Sequence, residues 1–292
     1  MRHVTPETIS AAFASYIAAD ADPRAREVFS SLARHLHAFA REVRLTHGEW
    51  RAGLEGLTRA GAISTAERNE FILLSDLLGV SALVDMLNTP PGATACSNLG
   101  PFHLRGAAEI PNGGDLWKGQ PGLPTVVMGR VVDGFSGAPV AGAVLDLWQN
   151  AENGEYSNTD PSQPPGNYHA VLRCATDGSF AFTTTRPRPY TVPYDGPGGD
   201  MLRALGRDAW RPAHLHIIAE APGYAPLVTE LFLADEDYLE RDAVFGVREE
   251  LVVDFRPGTN KSALPAHLLA RDQLPEGFLQ AEVTIKLAPA KG

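Results

Sequence analysis

The chain has 292 residues, 44% of them apolar and 21% charged, the make-up of a folded globular protein large enough for one big domain or two smaller ones. Its formal net charge of −10 argues against a protein that coats DNA or RNA, which needs a basic face. Two cysteines, Cys96 and Cys174, are too few for a disulfide scaffold or a cysteine-rich metal cluster, and they fit a reducing cytoplasm.

The first stretch, MRHVTPETISAAFASYIAADADPR, lacks the apolar core of a secretory signal. Residues 1–89 hold only 2 of the 23 prolines and 5 of the 28 glycines, so this third reads as helical and the remainder as turn-rich. Thr5-Pro6 and Asp22-Pro23 each pair a capping oxygen with a proline at the first helical position. Thr46 with Glu49, and Ser64 with Glu67, have the spacing of capping boxes. Val28, Leu32, Leu36, Phe39 and Val43 fall on one helical face. These signals predict helices near 6–19, 23–44, 47–60 and 65–88. The most apolar stretch, Phe71 to Leu87, is interrupted by Ser75, Asp76, Ser81 and Asp85, which makes it a buried helix and not a membrane span. A soluble, cytoplasmic protein is expected.

Residues 89–123 read as a long irregular connection, the kind of segment that often carries function. From Pro124 the apolar period changes to two. Strands are predicted at Thr125–Val132, Ala143–Trp148, Ala170–Ala175, Ser179–Thr184, Ala213–Ala219, Leu227–Leu233, Leu251–Phe255 and Glu282–Leu287, with one helical turn at Met201–Leu205. Short strands separated by turn residues, without a βα rhythm, predict an antiparallel sandwich.

Geometry sorts the histidines. His35 and His37 lie two apart on a predicted helix and point to different faces. His214 and His216 also lie two apart, but on a predicted strand, where both imidazoles share a face and form half of a metal site. Glu220 completes a His-x-His-x3-Glu pattern of cupin type. The flanks fail that pattern, because Asp208 and Leu227 stand where cupins carry glycine. Tyrosine is the other source of ligands: a phenol is a poor ligand at neutral pH, but a hard trivalent cation favours the phenolate. Tyr156 follows the strand ending in Asp146-Leu147-Trp148-Gln149-Asn150, and Tyr190 lies 24 residues before His214.

Taken together, LDLWQN, GEYS, the PY element, GRDAWRPAHLHIIAEAPGY and DAVFGV resemble the intradiol ring-cleavage dioxygenases over nearly the whole chain. FILLSDLLGVSALVDML, NLGPFH and DAVFGVREELVVDF carry a narrower likeness to the branch that cleaves hydroxyquinol. The resemblance implies an α+β protein: a helical N-terminal dimerisation domain at 1–95, then an antiparallel β-sandwich catalytic domain at 96–292, with the metal at the sandwich edge facing the helices. It implies one Fe(III) per chain, held by Tyr156, Tyr190, His214 and His216, with Tyr156 and His214 equatorial and Tyr190 and His216 axial. Tyr190 would also act as a base, and Arg211 would contact the substrate. Leu73, Asp76, Asn98, Leu99, Gly100, Pro101, Phe102 and Val244 would line the pocket. The expected substrates are O2 and an aromatic diol or triol, hydroxyquinol first, with catechol or chlorocatechol as the alternative. A homodimer through the N-terminal helices, with a phospholipid between them, completes the expectation. The sequence departs from catechol-cleaving relatives at Glu230, where they usually carry glutamine near the metal. The rival reading is a noncatalytic transthyretin-like module, which Gly129–Asp133 and Gly137–Ala143 resemble. Such a module has no need of the tyrosine and histidine set.

Overall fold

The computed structural model describes residues 3–65 and 68–290. The chain divides into two compact units, Met1–Arg59 and Ala60–Gly292.

The first unit holds α1 (Ile9–Ser15), α2 (Pro23–Glu42) and most of α3 (His47–Ile63). α2 starts as its sequence dictates: Pro23 needs no N–H partner, and the Asp22 carboxylate accepts from Ala25 N at 2.7 Å. At α3, Glu49 N donates to Thr46 Oγ1 and Thr46 N donates to the Glu49 carboxylate, forming the expected capping box. α1 is shorter than predicted, because Thr5–Thr8 folds into a turn closed by its own threonines. On α2, Leu32, Leu36, Phe39 and Val43 are all at least half exposed.

The helix expected over 65–88 is two helices, α4 (Glu70–Leu77) and α5 (Val80–Asn88). Gly79 at φ +73° takes a left-handed conformation that ends α4, and its N–H caps Asp76 O. The Ser64–Glu67 box falls partly outside the described residues. Ser64 itself donates to Ala60 O and accepts from Glu70 N, while Asn69 caps α4.

The rest of the chain builds β1 (Ala108–Ile110), β2 (Gly114–Asp115), β3 (Pro124–Asp133), β4 (Val144–Trp148), β5 (His169–Arg173), β6 (Ser179–Thr185) and β7 (Tyr190–Thr191). After α6 (Pro197–Leu205) come β8 (Trp210–Arg211), β9 (His214–Glu220), β10 (Leu227–Leu233), β11 (Val252–Val253), β12 (Arg256–Pro257) and β13 (Leu279–Leu287). One sheet runs β1-β5-β4-β9-β10-β11, the other β12-β13-β3-β6-β2, and β7 pairs with β8. Alternate residues from both sheets form a single core: Leu145, Leu147, Leu172 and Ile217 from one, Val127, Phe182, Val283 and Ile285 from the other. The sandwich is therefore as predicted, but its pairing is mixed. The central pairs of the larger sheet are antiparallel, whereas β1–β5, β10–β11, β2–β6 and β13–β3 are parallel. Parallel pairing needs long connections, and these pairs are joined through residues 111–168, 234–251, 116–178 and 134–278 respectively. β1 and β2 lie within the stretch read as irregular.

The register sets up the site. On the outer face of the larger sheet, His169 opposes Trp148, Trp148 opposes His216, and His216 opposes Glu230. One row of functional side chains thus crosses β5, β4, β9 and β10, while their sequence neighbours point into the core.

Candidate metal centre

His214 and His216 project from β9 between Leu215 and Ile217, which are buried in the core. Tyr190 on β7 stands directly opposite Arg211 on β8. Tyr156 comes from the loop after β4. Asn150 ties the two tyrosine segments together: its amide donates to Gly154 O and Arg188 O, and its carbonyl accepts from Arg188 N. Asn150 was missed as a site residue, although a buried Gln-Asn pair closing an apolar strand was a readable signal.

The four side chains converge. His214 Nε2 lies 3.1 Å from His216 Nε2 and 3.5 Å from Tyr156 Oη. The Tyr156 and Tyr190 rings are 5.5 Å apart, edge to face, and Tyr190 lies 5.6 Å from His214. Each of the four is more than nine-tenths buried except Tyr190, which is partly open. The two histidines lie on the outer face of the larger sheet, on its interior strand β9, and the two tyrosines reach them from the loop after β4 and from β7.

Partners decide the tautomer of His214. Its Nδ1 lies 2.7 Å from Pro212 O, and a carbonyl only accepts, so Nδ1 carries the proton and Nε2 a lone pair. Burial, then Arg211, pushes the imidazole down to about 4, so it is neutral at pH 7. Burial also holds His216 well below the ordinary value. His216 Nδ1 makes no hydrogen bond among the described residues but faces Glu230 Oε1 at 3.4 Å. Burial pushes both tyrosines up, Tyr156 further, with Tyr190 beside it adding to the shift.

Such a set suits a hard cation. Two metal–nitrogen bonds of about 2.1 Å at a right angle span about 3 Å, close to the 3.1 Å between the Nε2 atoms. A cation there reverses the burial effect on the phenols by favouring phenolate. Glu230 also groups with both histidines, its Oε1 lying 3.4 Å from His214 Nε2 and 3.4 Å from His216 Nδ1, but both of its oxygens are already engaged by Arg211 and Ser97. Glu220, the residue of the cupin pattern, ends β9 exposed and is not in the cluster.

Arg211 is held from both sides. Its Nε and Nη2 donate to the Asp242 carboxylate at 3.1 and 3.2 Å, and Nη1 and Nη2 donate to Glu230 at 2.9 and 3.2 Å. Nη1 also reaches His214 Nε2 at 3.2 Å, which accounts for all five N–H groups. Burial opposes the charge on Arg211, but Asp242 and Glu230 outweigh it and hold the guanidinium protonated. Burial likewise opposes the Glu230 charge, and Arg211 with the two neighbouring histidines outweighs it and holds the carboxyl below its usual range. Ser97 Oγ donates to Glu230 at 2.5 Å and contacts Gly246 O at 3.1 Å. Asp242 accepts from Val244 N and Gly246 N, which explains the DAVFG turn. Neither Asp242 nor Ser97 was singled out from the sequence.

Beside the cluster lies a cavity of about 310 Å³, at the small end of ligand sites. Of the expected wall, Leu73, Asp76, Asn98, Gly100, Pro101, Phe102 and Val244 line it, with Tyr190 and Arg211. Leu99 does not, and is 44% exposed. Ile72, Val192 and Pro193 line it without having been foreseen. Phe102 stacks on Tyr156 at 4.3 Å, and Gly100 packs over His216. Burial pushes the Asp76 carboxyl up, against a hydrogen bond from Ser81. A larger depression of about 1020 Å³ contains none of the four converging side chains.

Comparison with known proteins agrees with this geometry. Residues 104–277 match the family described as Dioxygenase, and residues 22–95 match Catechol dioxygenase N terminus. This chain belongs to the intradiol ring-cleavage dioxygenases. It is 43% identical over 257 residues to the 6-chlorohydroxyquinol 1,2-dioxygenase of Cupriavidus pinatubonensis, covering 87% of this chain and 93% of that protein. It is 37% identical to the catechol 1,2-dioxygenase of Candida albicans, covering 83% of this chain and 82% of that one. The solved hydroxyquinol 1,2-dioxygenase of Pseudomonas putida DLL-E4 superposes with a TM-score of 0.89 at 42% identity, over 98% of this chain and 99% of that one. The family depends on non-haem iron in general. Among the described residues, no helix is long and apolar enough to cross a membrane.

Proposed function

We propose that this intradiol dioxygenase opens hydroxyquinol with O2 between the two adjacent hydroxylated carbons, giving 3-hydroxy-cis,cis-muconate, the tautomer of maleylacetate. The observation that carries the reading is the convergence of two phenols and two imidazoles beside a small cavity that also holds a buried carboxyl. Tyr156, Tyr190, His214 and His216 would hold one Fe(III) per chain. When bound, Fe(III) supplies a Lewis-acid template that draws electron density from a chelated diol.

The chain's own residues do the rest. Tyr190 lines the cavity and serves as the base for a substrate hydroxyl. Glu230 and Asp242 occupy four N–H groups of Arg211. The fifth points at the His214 lone pair, so once a metal takes that lone pair it is free to stabilise negative charge on the ring. Asp76 accepts the third hydroxyl of hydroxyquinol. Phe102 and Gly100 cover the cluster and keep water from it.

The test is a visible spectrum of the iron-loaded protein before and after anaerobic hydroxyquinol. The expected result is a phenolate-to-iron band that shifts with substrate and weakens in Tyr190→Phe; an unchanged band and turnover in that variant would remove Tyr190 from the set. Asp76→Ala should lower the ratio of kcat/KM for hydroxyquinol over catechol. An unchanged ratio would remove Asp76 as the discriminator, and a wild-type preference for catechol over hydroxyquinol would favour a catechol or chlorocatechol enzyme.

The half-exposed apolar faces of α2 and α3 support a homodimer through the N-terminal helices. Sedimentation reads the dimer, and native mass spectrometry reads any phospholipid seated on those faces as added mass. The likeness to the catechol dioxygenase N terminus ends at residue 95, which supports the division into a helical region, 1–95, and a catalytic sandwich, 96–292. Two unpaired cysteines support a cytoplasmic location.

A further inference from the structure

A second cluster of ligand-type side chains sits on the same sheet face, on the far side of Trp148 from His216. His169 Nε2 lies 2.7 Å from Asp146 Oδ1, and His103 Nε2 lies 2.9 Å from Asp146 Oδ2. Three separate elements supply them: the segment before β1, strand β4 and strand β5. All three ligand atoms lie within 4.8 Å of one another. The His169 side chain is 3% exposed, while those of His103 and Asp146 are 17% and 21% exposed, so the cluster has a buried floor and an open mouth.

We propose that His103, Asp146 and His169 form a second site for a divalent transition cation, with zinc as the simplest occupant. Two imidazoles and one carboxylate favour zinc, nickel or copper over the oxygen-seeking magnesium and calcium. Among the described residues, neither imidazole has a hydrogen-bond partner at Nδ1. Each ring can therefore carry its proton at Nδ1 and turn a Nε2 lone pair toward the carboxylate. Without a cation the same rings donate Nε2–H to Asp146. Occupancy moves a proton from Nε2 to Nδ1 on each neutral ring and releases none. The open mouth leaves water to complete the coordination.

The site has a mechanical consequence. His103 follows Phe102, which stacks on Tyr156. The His103 ring also packs edge-on against Trp148 at 4.7 Å, and Trp148 lies flat on His216 at 4.6 Å and 2°. An ion at His103 pins the segment that covers the proposed iron centre, although the second site does not depend on that assignment.

The experiment loads the iron-containing enzyme with Zn2+, removes the excess, and quantifies both metals while recording the visible band. Wild type should retain one zinc per chain with iron and band unchanged. His103→Ala should bind zinc more than about 100-fold more weakly, since even loss of a residue that merely supports a ligand costs roughly 10–100-fold. Cu2+ should show two coupled nitrogens by electron paramagnetic resonance in wild type and one in His103→Ala. The proposal fails if wild type retains no zinc, if His103→Ala retains as much, or if zinc gained equals iron lost. His169→Ala removes a buried side chain, so the comparison rests on His103, which lies on a loop.

Discussion

Replacing Glu230 with glutamine tests how the Arg211 clamp is held. Glu230 is fully buried and gives Arg211 two hydrogen bonds, at 2.9 and 3.2 Å, while accepting from Ser97 at 2.5 Å. Glutamine keeps one acceptor, so one Arg211 bond survives. The amide nitrogen, in the Oε2 position, then faces both Arg211 Nη2, donor against donor, and Ser97 Oγ. Ser97 can turn its proton to Gly246 O, 3.1 Å away, and accept from the amide instead. The net loss is one hydrogen bond to a charged group, about 1.5–3 kcal/mol. That falls short of the roughly 3–5 kcal/mol for stripping a buried charge of its partner, because Asp242 still holds Arg211. For a chain of this size the melting temperature should fall by roughly 2–5 °C. Glu230→Ala removes both bonds and should fall further. Guanidinium and thermal unfolding of the three proteins measure this. A Glu230→Gln stability within about 0.5 kcal/mol of wild type, or equal losses for the two variants, would refute the accounting.

Three other outcomes follow from the same geometry. Gly246→Ala places a Cβ 2.6 Å from Arg211 Nη2, 2.9 Å from Asp242 Oδ2 and 3.0 Å from Glu230 Oε2. Overpacking of this kind costs about 1–3 kcal/mol, and a denaturant midpoint equal to wild type would contradict it. Asp160 is held down to about 2, chiefly by Ser162 and Asn153, so its folded value lies below its unfolded one. Its contribution is complete above the unfolded value near 4 and is lost as pH falls, with roughly half gone at pH 3. The stability gap between wild type and Asp160→Asn should therefore narrow from pH 5 to pH 3, and a constant gap would count against it. Burial pushes the Cys174 thiol up to about 12, which leaves roughly one thiolate in 10⁴ at pH 8. A thiol reagent at pH 8 should label Cys174 only after unfolding, and prompt labelling of the native protein would show the site to be open.

Local sequence determined the elements whose causes are local. Asp22-Pro23 and Thr46–Glu49 start their helices because capping needs only nearby atoms. The period-two pattern around His214 and His216 put both imidazoles on one face, since a strand alternates wherever it lies in a sheet. The residues quoted for the family resemblance carried the candidate ligands and most of the cavity wall. Other features depended on partners distant in sequence. Gly79 could have been passed over inside a helix, and its left-handed turn belongs to the packing of α4 and α5. The parallel pairing of β3 with β13 joins residues about 150 positions apart, which no local period reports. Glu230 read as an isolated departure from relatives until the β9–β10 register set it opposite His216 and Arg211 closed on it. Asp242 and Ser97 came into view only there, because a buried charge needs partners and the fold alone brings them within reach.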